Sequence, residues 1–288
     1  MDTKELIKKV KRIEIKTKGL STQIFSGEYH SAFKGRGMAF SEVREYANGD
    51  EIRTIDWNVT ARFNDPYVKV FEEERELTVI LLIDLSGSSD FGTLEKTKRE
   101  MITEIAAVLG FSAMSNNDKI GAVFFTDKVE KFISPGKGRS HVLRIVRELI
   151  EFQPEHHGTN IKEALRFFTN TVKKRSIAFL ISDFDDHGFD DSIKIVNRKH
   201  DLIALRVHDK AEKELPKLGF LKIEDPETKK WKWVNTFSSN VRQKYADAYV
   251  RRENEILEKL RKSGVDSANI ATNESYVKPL MQLFKKRV

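Results

Sequence analysis

The sequence predicts an α/β open sandwich, with a mostly parallel central sheet and helices on both faces. Residues 77–85 (LTVILLIDL) form a continuous apolar run that is rich in β-branched side chains. Such a run suits a strand covered on both faces. Apolar runs of similar length recur at residues 119–125, 176–182 and 201–207. Between them lie segments with apolar residues three and four apart, so strands alternate with helices as in βαβ units. Right-handed crossovers then distribute the helices over both faces.

Residues 3–18 read as a short amphipathic helix with Leu6, Val10 and Ile13 on one stripe and Gly19 at its end. From 21 to 71 periodicity fails, yet nine aromatic residues persist. Disordered segments are poor in aromatics, so irregular loops and short strands are expected there. After the first apolar strand, residues 97–115 place Ile102, Ile105, Ala106, Leu109 and Ala113 at helical spacing. The strand at 119–125 pairs with 129–133 across Thr126-Asp127-Lys128. Helices are expected at 140–151, 160–172 and 190–198.

Beyond residue 207 the pattern changes. Residues 220–224 and 231–235 flank Asp225-Pro226-Glu227-Thr228 and read as a β-hairpin. A long helix follows, with Ser239 as its cap, Val241, Tyr245, Ala248, Ile256 and Leu260 on one face, and Gly264 at its end. Residues 265–271 give a last strand and Tyr276 opens a last helix, capped by Ser275, with Pro279 in its first turn. Two regions result: an irregular N-terminal region at 1–75 and an α/β domain at 76–288. A hairpin insertion interrupts the latter at about 209–238.

The 288 residues carry 51 Lys+Arg against 44 Asp+Glu, a formal charge of +7. A pI near 9.3 suggests a polyanionic partner. Distribution weakens that suggestion, because residues 211–288 hold 17 basic and 11 acidic side chains, while 76–210 balance at 20 each. With no cysteine, a disulfide scaffold, a thiol nucleophile and thiolate metal sites are excluded. No apolar run approaches the ~18 residues of a membrane span. The N-terminus lacks a signal-peptide core, so a cytoplasmic location is expected.

Open parallel sheets bind ligands outside the carboxyl ends of their strands. There the first apolar strand delivers Asp84, Ser86 and Ser88, a helix-preceding loop delivers Thr159, and strand 176–182 delivers Asp183. Two carboxylates and three hydroxyls suit a hard divalent cation such as Mg2+, with Mn2+ or Ca2+ as alternatives. The competing reading makes Asp84 and Ser86 helix caps.

Asp84-x-Ser86-x-Ser88, Thr159 and Asp183 resemble the metal-ion-dependent adhesion site of von Willebrand factor A domains. The Thr159-Asn160-Ile161-x-x-Ala164-Leu165 context agrees, whereas His157 stands where that family usually has a glycine. A second pattern is longer. It runs Gly35-Arg36-Gly37-x-x-Phe40-x-Glu42-x-Arg44-x-Tyr46-x-x-Gly49-Asp50-x-x-Arg53-x-Ile55-Asp56-Trp57-x-x-Thr60-Ala61-Arg62. It resembles the bacterial family catalogued as domain of unknown function 58, over almost the whole chain. That resemblance implies a von Willebrand A-like domain working beside a MoxR-type AAA+ ATPase.

The resemblance leaves the residues of the second pattern without assigned roles. Arg53, Asp56 and Arg62 are expected to pin irregular backbone by charged pairs while Trp57 is buried. The alternative is a partner-docking surface. Asp185, Asp186, Asp190 and Asp191 read as a solvated loop and helix start. His156 and His157 read as an exposed loop. Lys229-Lys230-Trp231-Lys232-Trp233 has the interleaving of a single-strand binder, but in a hairpin the two tryptophans share a side and are expected to pack.

The leading functional expectation is a non-enzymatic module that binds a partner protein's carboxylate through the metal. The partner implied is a MoxR-type ATPase or its substrate complex. A metal-dependent phosphohydrolase comes second, since Ser86 stands where a general acid would be needed. Nucleic-acid binding through the basic C-terminal quarter comes third.

Overall fold

The chain divides into two compact units, residues 33–76 and residues 1–32 with 77–288. The computed structural model describes residues 10–14, 16–17, 20, 39–63, 65–72, 76–92, 96–224 and 230–287. Of the first predicted helix, 10–14 and 16–17 are described and helical. Gly35-Arg36-Gly37, the 225–228 turn and Lys229 lie outside the described residues.

In the smaller unit, strand β1 (Ala39–Glu45) pairs antiparallel with β2 (Tyr67–Glu72), and helix α1 (Trp57–Phe63) lies between them in sequence. Arg44 grips both oxygens of Asp50 at 2.8 and 2.7 Å, and Asp50 also accepts the Ala47 N–H, which closes the intervening turn. Asp56 caps α1 by accepting the N–H groups of Asn58 and Val59, and its other oxygen pairs with Lys69 at 3.3 Å.

The larger unit contains, in order, β3 (Thr78–Asp84), α2 (Lys98–Ser115), β4 (Lys119–Phe125), β5 (Val129–Gly136), α3 (Arg139–Glu151) and α4 (Ile161–Thr171). Then come β6 (Ile177–Ser182), α5 (Asp190–Lys199), β7 (Asp201–His208), β8 (Phe220–Glu224), β9 (Trp231–Asn235), α6 (Ser239–Lys262), β10 (Asp266–Ala271) and α7 (Val277–Lys285). Six of these strands form one sheet in the order β10-β7-β6-β3-β4-β5, parallel except for β5. This is the mixed α/β architecture that the apolar runs predict. The chain moves from β3 outward to β4 and β5, then returns to the other side of β3 with β6, so the strand order reverses beside β3.

Alternation along β3 explains the two helical layers. Ile80 and Leu82 pack with α4, α5 and the C-terminal half of α6, through Leu165, Phe168, Ile193, Ile256 and Leu260. Val79, Leu81 and Ile83, equally buried, face the opposite layer. There α2 contacts the sheet and α3, and Phe284 of α7 meets Phe179 with ring centroids 6.3 Å apart. Helix α2 begins with a capping box between Thr97 and Glu100.

Gly121 is required by an irregularity at the sheet border. Between Ile120 and Ala122 the register with β5 shifts, and a Cβ at residue 121 would lie 2.8 Å from the Ile133 carbonyl and 3.0 Å from the Pro135 nitrogen.

The C-terminal elements differ from expectation in two details. Ser238, not Ser239, caps α6 by accepting the Val241 N–H. Of the predicted inward face, Ile256 and Leu260 are buried, whereas Tyr245 and Ala248 are exposed. Twenty-four residues make a helix of about 36 Å, longer than the strands it crosses, so its N-terminal half runs past the sheet. Gly264 ends it with φ 65°, a conformation that favours glycine. Among the described residues, no helix is long and apolar enough to cross a membrane.

His200 and His208 are enclosed by this core. Burial, aided for His200 by Lys199 and Arg175, and for His208 by Arg206 and Lys213, pushes both imidazoles down to about 4. The unfolded chain takes up these protons near 6.5, so stability is lost as pH falls from 6.5 towards 4. The His200 ring lies tilted against Phe168, centroids 4.4 Å apart, and among the described residues neither of its nitrogens has a hydrogen-bond partner. His200→Phe is therefore expected to raise the melting temperature at pH 5 more than at pH 8. Melts at the two pH values check this.

Candidate functional site

β3 and β6 are neighbours in the sheet, so their carboxyl ends deliver Asp84 and Asp183 side by side. Asp84 is 3% exposed, and both of its oxygens are engaged. Oδ1 accepts the Ser86 N–H at 2.9 Å, and Oδ2 accepts the Ser182 hydroxyl at 2.6 Å. The hydroxyls of Ser86 and Ser88 are hydrogen-bonded to each other at 3.1 Å. Ser88 also bonds the Asp183 carboxylate. The loop holding Thr159 is drawn against this cluster by the Gly87 N–H, which donates to the His157 carbonyl at 2.8 Å. The Asn160 N–H donates to the Thr126 carbonyl at the end of β4.

A lysine completes the arrangement. Lys98, the first residue of α2 and 2% exposed, places Nζ 2.8 Å from Asp183 Oδ2 and 2.6 Å from Glu212 Oε1. Burial works to lower the Lys98 pKa, but the two carboxylates outweigh it and hold the ammonium protonated. In the same way burial works to raise the Asp183 pKa, and Lys98 with Ser88 outweighs it, so Asp183 stays ionised below the usual carboxylate range. Among the described residues, Asp84 has no cation of its own. Burial and the adjacent Asp183 charge push its carboxyl up to about 7.

Four of the sequence-derived residues, Asp84, Ser86, Ser88 and Asp183, are thus joined by hydrogen bonds, and Thr159 stands on the adjoining loop. The helix-cap reading fails, since α2 is capped by Thr97 and the Ser86 side chain caps nothing. Among the described residues, no three His, Cys, Asp or Glu side chains group as metal ligands. The cluster here is instead two carboxylates with serine hydroxyls, a donor set for a hard cation.

The neighbouring acids are structural. Asp186 accepts the Ile161 N–H at the start of α4, Asp185 pairs with Arg252, Asp190 with Lys259 and Asp191 with Lys194. His156 lies 3.8 Å from Asp127 in the loop. Lys98, Glu212 and Ser182 escaped sequence reasoning. A lysine in the first turn of a helix opposes the helix dipole, which is the one signal that marks Lys98 as held there by acids.

The Arg53–Arg62 segment departs from its expected packing. Trp57 is 67% exposed, and both arginines are exposed. Asp56 does pin backbone, but its ionic partner is Lys69. A 44-residue unit built on two strands has too little interior to enclose an indole.

The family model described as "Protein of unknown function DUF58" matches residues 42–255. The chain is similar to "Uncharacterized protein Mb1516" of Mycobacterium bovis and "Uncharacterized protein Rv1480" of Mycobacterium tuberculosis. Each is 24% identical over 292 residues, covering 100% of this chain and 91% of the relative. Among solved structures it is similar to an aerotolerance-related membrane protein from Bacteroides fragilis, with 17% identity, a TM-score of 0.49, and coverage of 73% of this chain and 99% of that one. It is also similar to BatB from Bacteroides thetaiotaomicron, with 17% identity, a TM-score of 0.45, and coverage of 73% and 98%.

Proposed function

We propose, for a chain that belongs to the DUF58 family, a non-enzymatic protein-interaction module whose sheet edge holds a divalent cation. Asp84, Ser86, Ser88, Thr159 and Asp183 would hold the cation, of the Mg2+ class, with Mn2+ or Ca2+ as alternatives. When bound, the ion supplies an electrophilic centre that attracts a partner's carboxylate, because most of its protein ligands are neutral hydroxyls. This reading assigns the larger unit to the von Willebrand A-like fold. By sequence resemblance, the partner is a MoxR-type AAA+ ATPase or a protein complex on which it acts.

One observation supports it above the others. Asp183 and Glu212 share a single ammonium, that of Lys98, while Asp84, buried beside Asp183, pairs with no cation among the described residues. A divalent cation there would offset the burial and the adjacent Asp183 charge that together push Asp84 towards its protonated form. The chain's own residues do the remaining work. Ser182 and the Ser86 N–H fix the Asp84 carboxylate, Lys98 fixes Asp183, and the Gly87–His157 bond holds the two loops together. Both Asp84 oxygens are committed to hydrogen bonds, which suits a ligand better than a nucleophile.

Calorimetric titration of the full chain with MgCl2 tests the proposal. Saturable binding is expected, lost in Asp84→Ala and weakened about tenfold or more in Ser86→Ala. Capture of a protein partner is expected to disappear with chelator. A wild-type chain indifferent to Mg2+, Mn2+ and Ca2+, or an Asp84→Ala chain that binds unchanged, would overturn it.

A further inference from the structure

We propose that the β8–β9 hairpin is a docking surface for an anionic lipid bilayer. Its register pairs Phe220 with Asn235, Lys222 with Trp233 and Glu224 with Trp231, so Phe220, Trp231 and Trp233 share one face. That face is open. Phe220 is 68% exposed, Trp231 55% and Trp233 67%, and Leu218 and Phe237 at the hairpin base are 67% and 61%. The expectation that the tryptophans pack is therefore overturned. The hairpin is a separate two-stranded sheet, and among the described residues nothing covers this side. Five large apolar side chains expose several hundred Å2 in one module, beyond what scattered surface residues present.

The cations around the patch select its occupant. Residues 209–238 contain seven lysines, no arginine and six acids, of which Asp209 and Glu212 are engaged away from the hairpin with Thr272 and Lys98. Protein interfaces favour arginine and are depleted in lysine. Lipid interfaces combine tryptophan with lysine, whose stem lies along apolar surface while the ammonium reaches the headgroups. Lys222 already adopts that pose, with Nζ 4.5 Å from the centroid of the Trp231 ring. Lys217 and Lys230 flank the same strands, Lys232 lies on the opposite face of β9, and Glu224 is the acid on the described part of the aromatic face. A single-stranded nucleic acid also stacks on exposed rings. Here, though, the Lys222 ammonium lies over the indole a base would stack on, and Leu218 offers no stacking face.

The chain has three tryptophans, Trp57, Trp231 and Trp233, so in a Trp57→Phe background the fluorescence reports the hairpin alone. With vesicles of phosphatidylcholine and phosphatidylglycerol, a blue shift and co-sedimentation are expected. Both should weaken at least tenfold on pure phosphatidylcholine, and fall as salt is raised. Trp233→Ala with Phe220→Ala, scored for co-sedimentation and checked for an unchanged melt, is expected to lose tenfold or more. Chelator should change nothing, which separates this surface from the cation site. Absence of vesicle binding, or undiminished binding by the double variant, would overturn the proposal. So would quenching by oligothymidylate at physiological salt that exceeds the vesicle response.

Discussion

Lys98→Met is expected to lower the unfolding free energy by about 3–5 kcal/mol, the usual cost of removing one member of a buried ionic cluster. The substitution keeps the stem's volume and removes only the ammonium. Asp183 and Glu212, 2.8 and 2.6 Å from Nζ, then face each other without compensation, and Asp183 also bears on Asp84. Urea unfolding in the presence of chelator measures the loss. If a divalent cation occupies the site, saturating Mg2+ is expected to restore more stability to the variant than it adds to the wild type, because it supplies the missing charge. A variant as stable as the wild type would show that the ammonium is not what holds the two carboxylates.

Asp84→Asn works in the opposite direction. The folded chain binds the Asp84 proton near 7, whereas the unfolded chain binds it near 3.8. Between these pH values the native state holds the extra proton, so the contribution of this residue to stability falls as pH rises and stays low above 7. The shift corresponds to about 4 kcal/mol at most. Asparagine keeps the acceptor for the Ser86 N–H, and its amide can donate to the Ser182 hydroxyl. In chelator at pH 8 the variant is expected to be more stable than the wild type by a large part of that amount. At pH 4 the two should converge. Mg2+ should stabilise the wild type and leave the variant nearly unchanged. Urea midpoints across this pH range, with and without Mg2+, provide the check.

The strands of the main sheet were legible because burial on both faces demands uninterrupted apolar runs, as in residues 77–85. Asp84, Ser86, Ser88 and Asp183 were legible for a related reason: each terminates or follows such a run, and the topology gathers those ends along one edge. Lys98 and Glu212 were not. Their partners lie 85 and 114 residues apart in sequence, and no local pattern announces an ion pair at that distance. The hairpin shows a different limit. Period-two spacing tells that Trp231 and Trp233 share a side, but not whether anything covers it. The long helix shows a third, since a regular apolar stripe continues past the end of the sheet it packs on. Trp57 departs from its expected burial because composition reveals aromatic content but not how small the surrounding unit is.

Sheet borders invite unwanted growth, because an edge strand offers unpaired N–H and C=O groups to any extended segment that drifts past. At the β5 border that invitation is withdrawn. Pro135 has no N–H to give, and the register with β4 breaks twice, between Ile120 and Ala122 and between Phe124 and Phe125. Lys131 places a charge on the same strand, paired with Glu148 of α3. The irregularity that obliges residue 121 to be glycine thus also makes the β5 border, one of the sheet's two edges, a poor template for a further strand.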